Sequence, residues 1–340
     1  MLTLLVSAIL SPLRWYEHLR FAKAIEGLEI KDDPVFIVGH WRSGTTYLHN
    51  ILCQDPQFSY ISTFHATFPE YLLGRKTLLL PLFKIVLPET RPGDNVRLSA
   101  DSPQEDEFAL GCTTPYSFYH YLFFPERLDT YYQKSVSFES EVGSFKEEWQ
   151  RKYLLIIKKA VLDRGGGRFV SKNPAHTGRV KTLIEMFPKA KFIHIYRNPV
   201  TVFLSTLTYL DRTMAKVQLS AFDHRELEAQ VLMVHRRILD DFFREKERIP
   251  DANYIEVRYE EFEKEPLSIL EEIYARFDIP DYEKAKPRFA EYAEGQRKHQ
   301  KNKHYVGRQR LTELARELQP TMERWGYGVP SDVEVREYSE

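Results

Sequence analysis

Short apolar runs alternate with longer stretches of helical period along most of this chain. Residues 34–38, Pro-Val-Phe-Ile-Val, are a run of branched and aromatic side chains of the kind that forms a buried strand. The run meets Gly39 and then a helical pattern carried by Tyr47, Leu48, Ile51 and Leu52. Two further strands are predicted at 168–171 and 191–196, with Val180, Leu183, Ile184 and Phe187 at helical spacing between them. A fourth covers Tyr254, Ile255, Val257 and Arg258. Strands that alternate with helices call for right-handed parallel crossovers, so the expectation is an α/β fold: a doubly wound parallel sheet with helices on both faces. Ligands of such sheets sit at the carboxyl ends of the strands. Residues 55–164, rich in Tyr, Phe and Leu, form an insertion of helices and loops between the first and second of these strands. Gly165–Gly167 reads as a loop, and no repeat or linker divides the chain. Residues 1–340 therefore read as one domain opened by a helix within 1–30.

Composition narrows the classes of function. With 43% hydrophobic and 14% aromatic residues the chain can bury a sizeable core. Its 48 basic and 49 acidic residues leave a net charge of −1, so no global field attracts nucleic acid or an anionic membrane, and any anion site must be local. Cys53 and Cys112 are too few for a disulfide framework and no Asn-x-Ser/Thr acceptor occurs, which makes a reducing cytoplasm the simplest home. The opening MLTLLVSAIL is shorter than the roughly 20 residues of a spanning helix and lacks a basic flank. It reads as part of a packed amphipathic helix, with peripheral membrane contact through residues 1–13 as the alternative.

The chemistry begins at Gly39-His40-Trp41-Arg42-Ser43-Gly44-Thr45-Thr46. Two glycines at this spacing, between a strand and a helix, let backbone N–H groups surround an anion at the helix N-terminus. Enzymes that bind nucleoside triphosphates carry lysine next, for the β- and γ-phosphates, whereas this chain carries Thr45. The strand 191–196 ends in Arg197 rather than in an aspartate suited to magnesium. A cation stands inside the loop instead, at Arg42, where it could meet the bridging oxygen of a phosphosulfate.

FIVGHWRSGTTYLHNIL resembles the 5′-phosphosulfate loop of sulfotransferases, and its R-S-G-T-T form is most similar to tyrosylprotein and bacterial members. The resemblance implies 3′-phosphoadenosine-5′-phosphosulfate (PAPS) as donor, 3′,5′-adenosine bisphosphate as product, no required metal, and a small-molecule hydroxyl as acceptor. Arg42, Ser43, Gly44, Thr45 and Thr46 would hold the 5′ end. KFIHIYRNPVTVFLS is similar to the family's 3′-phosphate motif, implying Arg197 and Ser205. Pro199 can open a helix that places Ser205 about two turns on, over the strand end. Tyr259 stands where the family has an aromatic beside adenine, and GQRKHQKNKHY offers Arg297, Lys298, Lys301 and Lys303 over the 3′-phosphate. A charge run is also what a solvated face looks like.

RFVSKNPAH resembles the lysine segment beside the donor in other members and implies Lys172 as a second cation. The base is open. His176 lies two residues beyond the family's histidine position, yet an imidazole suits proton removal near neutrality. Gln104-Glu105-Asp106-Glu107 is similar to an acidic stretch in bacterial relatives, which makes Glu105 and Glu107 rivals, with His65 behind them. The same acids after Ser102-Pro103 are an ordinary helix start, where carboxylates meet the positive end of the macrodipole. The apolar and aromatic runs of the insertion favour an acceptor pocket for a sterol, lipid or phenolic alcohol over one for a glycan; equally, they could simply pack the insertion onto the sheet. The competing classes are a P-loop kinase of small molecules and a nucleotide-binding scaffold without turnover.

Overall fold

A computed structural model describes residues 2–30, 33–74, 76–89, 98–139, 145–297, 304–330 and 333–336. Five parallel strands form its centre: β1 (Val35–Val38), β2 (Phe58–Ser59), β3 (Arg168–Lys172), β4 (Lys191–Tyr196) and β5 (Tyr254–Arg258), in the order β2-β3-β1-β4-β5. Ile37 pairs with Lys172 on one side and Ile193 on the other, while Tyr196 pairs with Arg258.

Both faces of this sheet are covered, which is why its strands read as near-continuous apolar runs. Side chains alternate between faces, so Val35 and Ile37 join Ile193, Ile195, Ile255 and Val257 in one cluster. Phe36 and Val38 join Phe169 and Phe192 in another. The helices that matter here, in chain order, are α1 (Leu2–Gly27), α2 (Thr45–Leu52), α3 (Asp106–Gly111), α4 (Phe145–Asp163), α5 (Val180–Met186), α6 (Pro199–Val217) and α7 (Leu227–Glu245). Leu48, Ile51 and Leu52 of α2 cover the first face. Trp149, Tyr153 and Ile157 of α4, with Val180 and Leu183 of α5, cover the second. The expected doubly wound sheet is present.

Two features depart from the sequence expectation. The insertion contributes the edge strand β2, and a separate two-stranded parallel sheet, His304–Gly307 with Val333–Arg336, follows near the C-terminus. Among the described residues no helix is long and apolar enough to cross a membrane. The first helix runs through Pro12 as one element, and Trp15 and Leu19 on it are 70% and 74% exposed.

Candidate active site

β1 is wholly buried, and the chain leaves its carboxyl end through a loop that only glycine can follow at two points. Gly39 (φ 149°) lies so close to β4 that a Cβ would strike the Ile195 carbonyl, and Gly44 (φ 99°) lies against the Tyr259 ring in the same way. Arg42, at φ 69°, is left-handed without being glycine, a strained choice of the sort found where a side chain must be aimed. The Gly39 N–H donates to Thr177 Oγ1 (2.8 Å), and the Ser43 hydroxyl bonds to the carbonyls of His40 (2.8 Å) and Ile195 (3.1 Å). Ser43 thus spends its hydroxyl on pinning the loop to β4. Gly44 brings no side chain to cap α2, the kind of helix start, here at Thr45 and Thr46, whose amides can receive an anion.

The second segment arrives beside the first because β4 is the parallel neighbour of β1. Asn198 Oδ1 accepts from the Val200 N–H (3.0 Å) and Pro199 occupies the first turn, so α6 starts immediately after Arg197. Ser205 then accepts a hydrogen bond from Arg42 Nε at 3.0 Å. The Arg197 guanidinium lies over the Tyr259 ring, 4.5 Å from its centroid, and that ring packs on Gly44. Arg42, Gly44, Arg197, Ser205 and Tyr259 are one cluster at the carboxyl end of the sheet. Arg297 is exposed and paired with Glu294 (2.9 Å); Lys298, Lys301 and Lys303 lie outside the described residues.

Lys172 ends β3, is 1% exposed, and donates to Glu105 Oε1 at 2.6 Å. The other oxygen of Glu105 accepts from the Tyr119 hydroxyl, whose oxygen accepts from Trp41 Nε1 at 2.8 Å. A single polar chain therefore joins the β3 end, the insertion and the anion loop. Neither Trp41 nor Tyr119 was singled out in the sequence, because a bond across 78 positions leaves no local pattern.

The remaining candidate bases differ in their surroundings. Glu107 is fully buried and accepts from Arg179 (2.7 Å), Asn173 (2.7 Å), the Phe118 N–H (2.6 Å) and Ser117 (3.0 Å). Burial alone would raise its pKa; the charge and hydrogen bonds of Arg179 outweigh this and hold it at about 2. A carboxylate so stabilised is a poor proton acceptor. His176 is fully buried too, with Nδ1 facing Arg179 (3.2 Å) and Nε2 facing the Tyr153 hydroxyl (2.8 Å). Arg179 can only donate, so Nδ1 is the acceptor and Nε2 carries the hydrogen, leaving no lone pair for a substrate. Burial, then the Arg179 charge, pushes its pKa well down. His65 bonds to Asp163 (2.9 Å) rather than to any of these groups. Asp106 takes the hydroxyls of Tyr153 (2.6 Å) and Ser171 (2.5 Å), and burial lifts it to about 7. Asp106 and Glu107 begin α3, as an ordinary helix start would have them.

An apolar recess opens beside the loop. It is narrow and partly open to solvent, and is lined by His40, Trp41, Tyr121, Leu128, Thr206, Leu210, Leu227, Gln230, Val231 and Val234. The insertion supplies Tyr121 and Leu128 to this wall, and α6 and α7 supply most of the rest. The aromatics of PYSFYHYLFFPE mainly pack: Phe118, Tyr119 and Tyr121 are all buried in the core that α6 and α7 share.

The first amides of α2, Arg42, Arg197 and Ser205 are groups that could hold an anionic ligand at this end of the sheet. Residues 34–284 match the sequence model of the Sulfotransferase family. Omega-hydroxy-beta-dihydromenaquinone-9 sulfotransferase Stf3 of Mycobacterium bovis is 28% identical over 328 residues, covering 95% of this chain and 82% of that protein. The Mycobacterium tuberculosis protein of the same name matches equally. The crystal structure of sulfotransferase STF9 from Mycobacterium avium superposes with a TM-score of 0.73 at 18% identity, over 95% of this chain and 83% of that one. STF1 from Mycobacterium tuberculosis H37Rv gives 0.57 at 18% identity, over 82% and 75%. This chain belongs to the sulfotransferase family, and is a sulfotransferase.

Proposed function

We propose that the chain moves a sulfuryl group from PAPS to the hydroxyl of an apolar acceptor, a lipid or phenolic alcohol, by in-line displacement. One observation carries this reading: the 3.0 Å bond from Arg42 to Ser205 joins the two nucleotide segments directly beside an apolar recess that begins at His40 and Trp41. The α2 amides and Arg42 would hold the 5′-phosphosulfate, Arg197 and Ser205 the 3′-phosphate, and Tyr259 would flank the adenine. PAPS supplies the sulfur electrophile and a bisphosphate leaving group. Arg42 and Lys172 are the cations that neutralise charge as the sulfur–oxygen bond to that group breaks and its electron pair departs. The acceptor oxygen forms the new bond to sulfur, and Glu105 receives its proton. Among the carboxylates of the acidic cluster it is the one whose neighbours, Lys172 and Tyr119, tie it to the anion loop. The recess suits a hydrocarbon better than a saccharide, in keeping with a relative whose name specifies an omega-hydroxylated menaquinone.

The test is transfer of ³⁵S-labelled sulfuryl from PAPS to long-chain primary alcohols, sterols, phenols and monosaccharides. Label on the apolar alcohols or phenols, with sugars inert, is expected. Label on sugars alone would overturn the acceptor assignment.

A further inference from the structure

Two residues that line the apolar recess each carry a buried polar atom with no hydrogen-bond partner among the described residues: His40 Nε2 and Gln230 Oε1. His40 is 4% exposed, and a buried polar atom without a partner is costly enough that such atoms usually face water or a ligand. Its other nitrogen, Nδ1, faces the Trp41 carbonyl at 3.0 Å. A carbonyl accepts only, so Nδ1 carries the hydrogen and Nε2 keeps its lone pair. The ring is neutral near physiological pH, since burial pulls its pKa down to about 4 against the bond to Trp41. His235 packs on it with ring centroids 4.5 Å apart and is itself 1% exposed, with both ring nitrogens unpartnered. Gln230 Nε2 donates to the Pro125 carbonyl (3.4 Å), which leaves Oε1 as the second acceptor in the wall. Both unpartnered atoms are therefore acceptors, on two residues of a wall that otherwise offers mainly hydrocarbon. The complement is an apolar molecule bearing an O–H donor.

We propose that His40 is the residue that positions the acceptor: Nε2 receives the hydrogen bond of the acceptor hydroxyl, Gln230 Oε1 offers the alternative partner, and the recess selects alcohols over ethers and hydrocarbons. This rests on the apolar-acceptor reading above and adds its point of recognition. His40 stands two residues before Arg42 on the same loop, which ties the proposed point of recognition to the segment that carries the cation proposed for the transfer. A hydroxyl that donates to nitrogen keeps its oxygen lone pairs for sulfur, and it exchanges that hydrogen bond for one to Glu105 as its proton leaves.

The experiment is a fluorescence titration of the protein, bound to 3′,5′-adenosine bisphosphate, with 1-decanol and with decyl methyl ether, which keeps the oxygen but lacks the donor. Wild type is expected to prefer the alcohol by about tenfold, the scale of one buried hydrogen bond lost without replacement. His40→Asn retains a donor toward the Trp41 carbonyl and deletes Nε2; the preference should fall to about twofold or less, with ether affinity and bisphosphate affinity unchanged. His40→Gln, which returns an acceptor near Nε2, should restore it. Equal binding of both ligands by wild type, or an undiminished preference in His40→Asn, would overturn the proposal and leave the apolar acceptor standing. Failure of wild type to bind either ligand would remove both. If His40→Asn does not fold, ¹⁵N-histidine spectra of wild type decide: the lone-pair nitrogen of His40 should shift with the alcohol and not with the ether, and no shift refutes it.

Discussion

Arg42→Ala is expected to lower kcat for sulfuryl transfer by about 10²- to 10³-fold, the usual effect of removing one group aimed at developing charge. The size follows from the side chain's position. Arg42 is held left-handed at φ 69° by a loop pinned through Gly39, Ser43 and Ser205, so its geometry is set before a donor arrives. Preorganisation of this kind acts on the transition state more than on the ground state, and kcat should fall more than KM for PAPS rises. Arg42→Lys should recover part of the rate, because a point charge remains while the planar fork is lost. The check is steady-state kinetics with saturating acceptor. A variant with unchanged kcat and a raised KM would reduce Arg42 to a binding residue.

The largest loss of stability is expected from Arg179→Met. Arg179 and Glu107 are both fully buried, 2.7 Å apart, and Arg179 also donates to the Ser135 carbonyl and lies over the Trp149 ring at 4.8 Å. Taking one partner from a buried pair leaves an uncompensated charge and costs about 3–5 kcal/mol, a large share of the roughly 5–15 kcal/mol that holds a domain together. The pH dependence has a definite sign. The pKa of Glu107 in the folded protein is held down, from the usual 4.5 to about 2, so the stability it contributes is complete above 4.5 and is lost as pH falls toward 2. Asp106 runs the other way: lifted by burial from 3.8 to about 7, it contributes stability that is present below 3.8 and lost as pH rises through 7. Urea unfolding at pH 7 should therefore show the full gap between wild type and Arg179→Met, and the gap should narrow below pH 4.5 as Glu107 protonates. A gap independent of pH would mean that packing, not the ion pair, is what Arg179 supplies.

What was legible in the sequence was local. β1, β3, β4 and β5 announced themselves because strands buried on both faces need unbroken apolar runs, and the anion loop did so because its glycines answer to backbone geometry a few residues away. β2 is two residues long and carries no periodicity to read. The acidic cluster shows where local reading stops. Glu105, Asp106 and Glu107 are consecutive, yet the turn into α3 sends them to three partners: Lys172, the Ser171–Tyr153 pair, and Arg179. Each partner lies more than 45 positions away, so pattern could nominate the cluster without dividing it. Arg179 itself had one visible signal, a lone arginine between the β3 segment and the apolar positions of α5. The apolar runs of the insertion carry both buried and exposed side chains: in the helix Lys76–Val86 Phe83 turns inward while Leu78, Leu82 and Ile85 are exposed. The recess is lined by Leu210, Val231 and Val234 among others, apolar helix positions with nothing in their local pattern to set them apart.

The chain's central claim on chemistry is that one site grips both ends of a 3′-phosphorylated nucleotide. Isothermal titration with 3′,5′-adenosine bisphosphate, adenosine 5′-monophosphate and magnesium-ATP, on wild type and Arg197→Ala, addresses it directly. The bisphosphate should bind at least tenfold more tightly than the other two, and Arg197→Ala should erase that margin, since a charge-assisted pair to phosphate is worth roughly 1.5–3 kcal/mol. Equal affinity for the monophosphate, or tighter binding of magnesium-ATP, would contradict it.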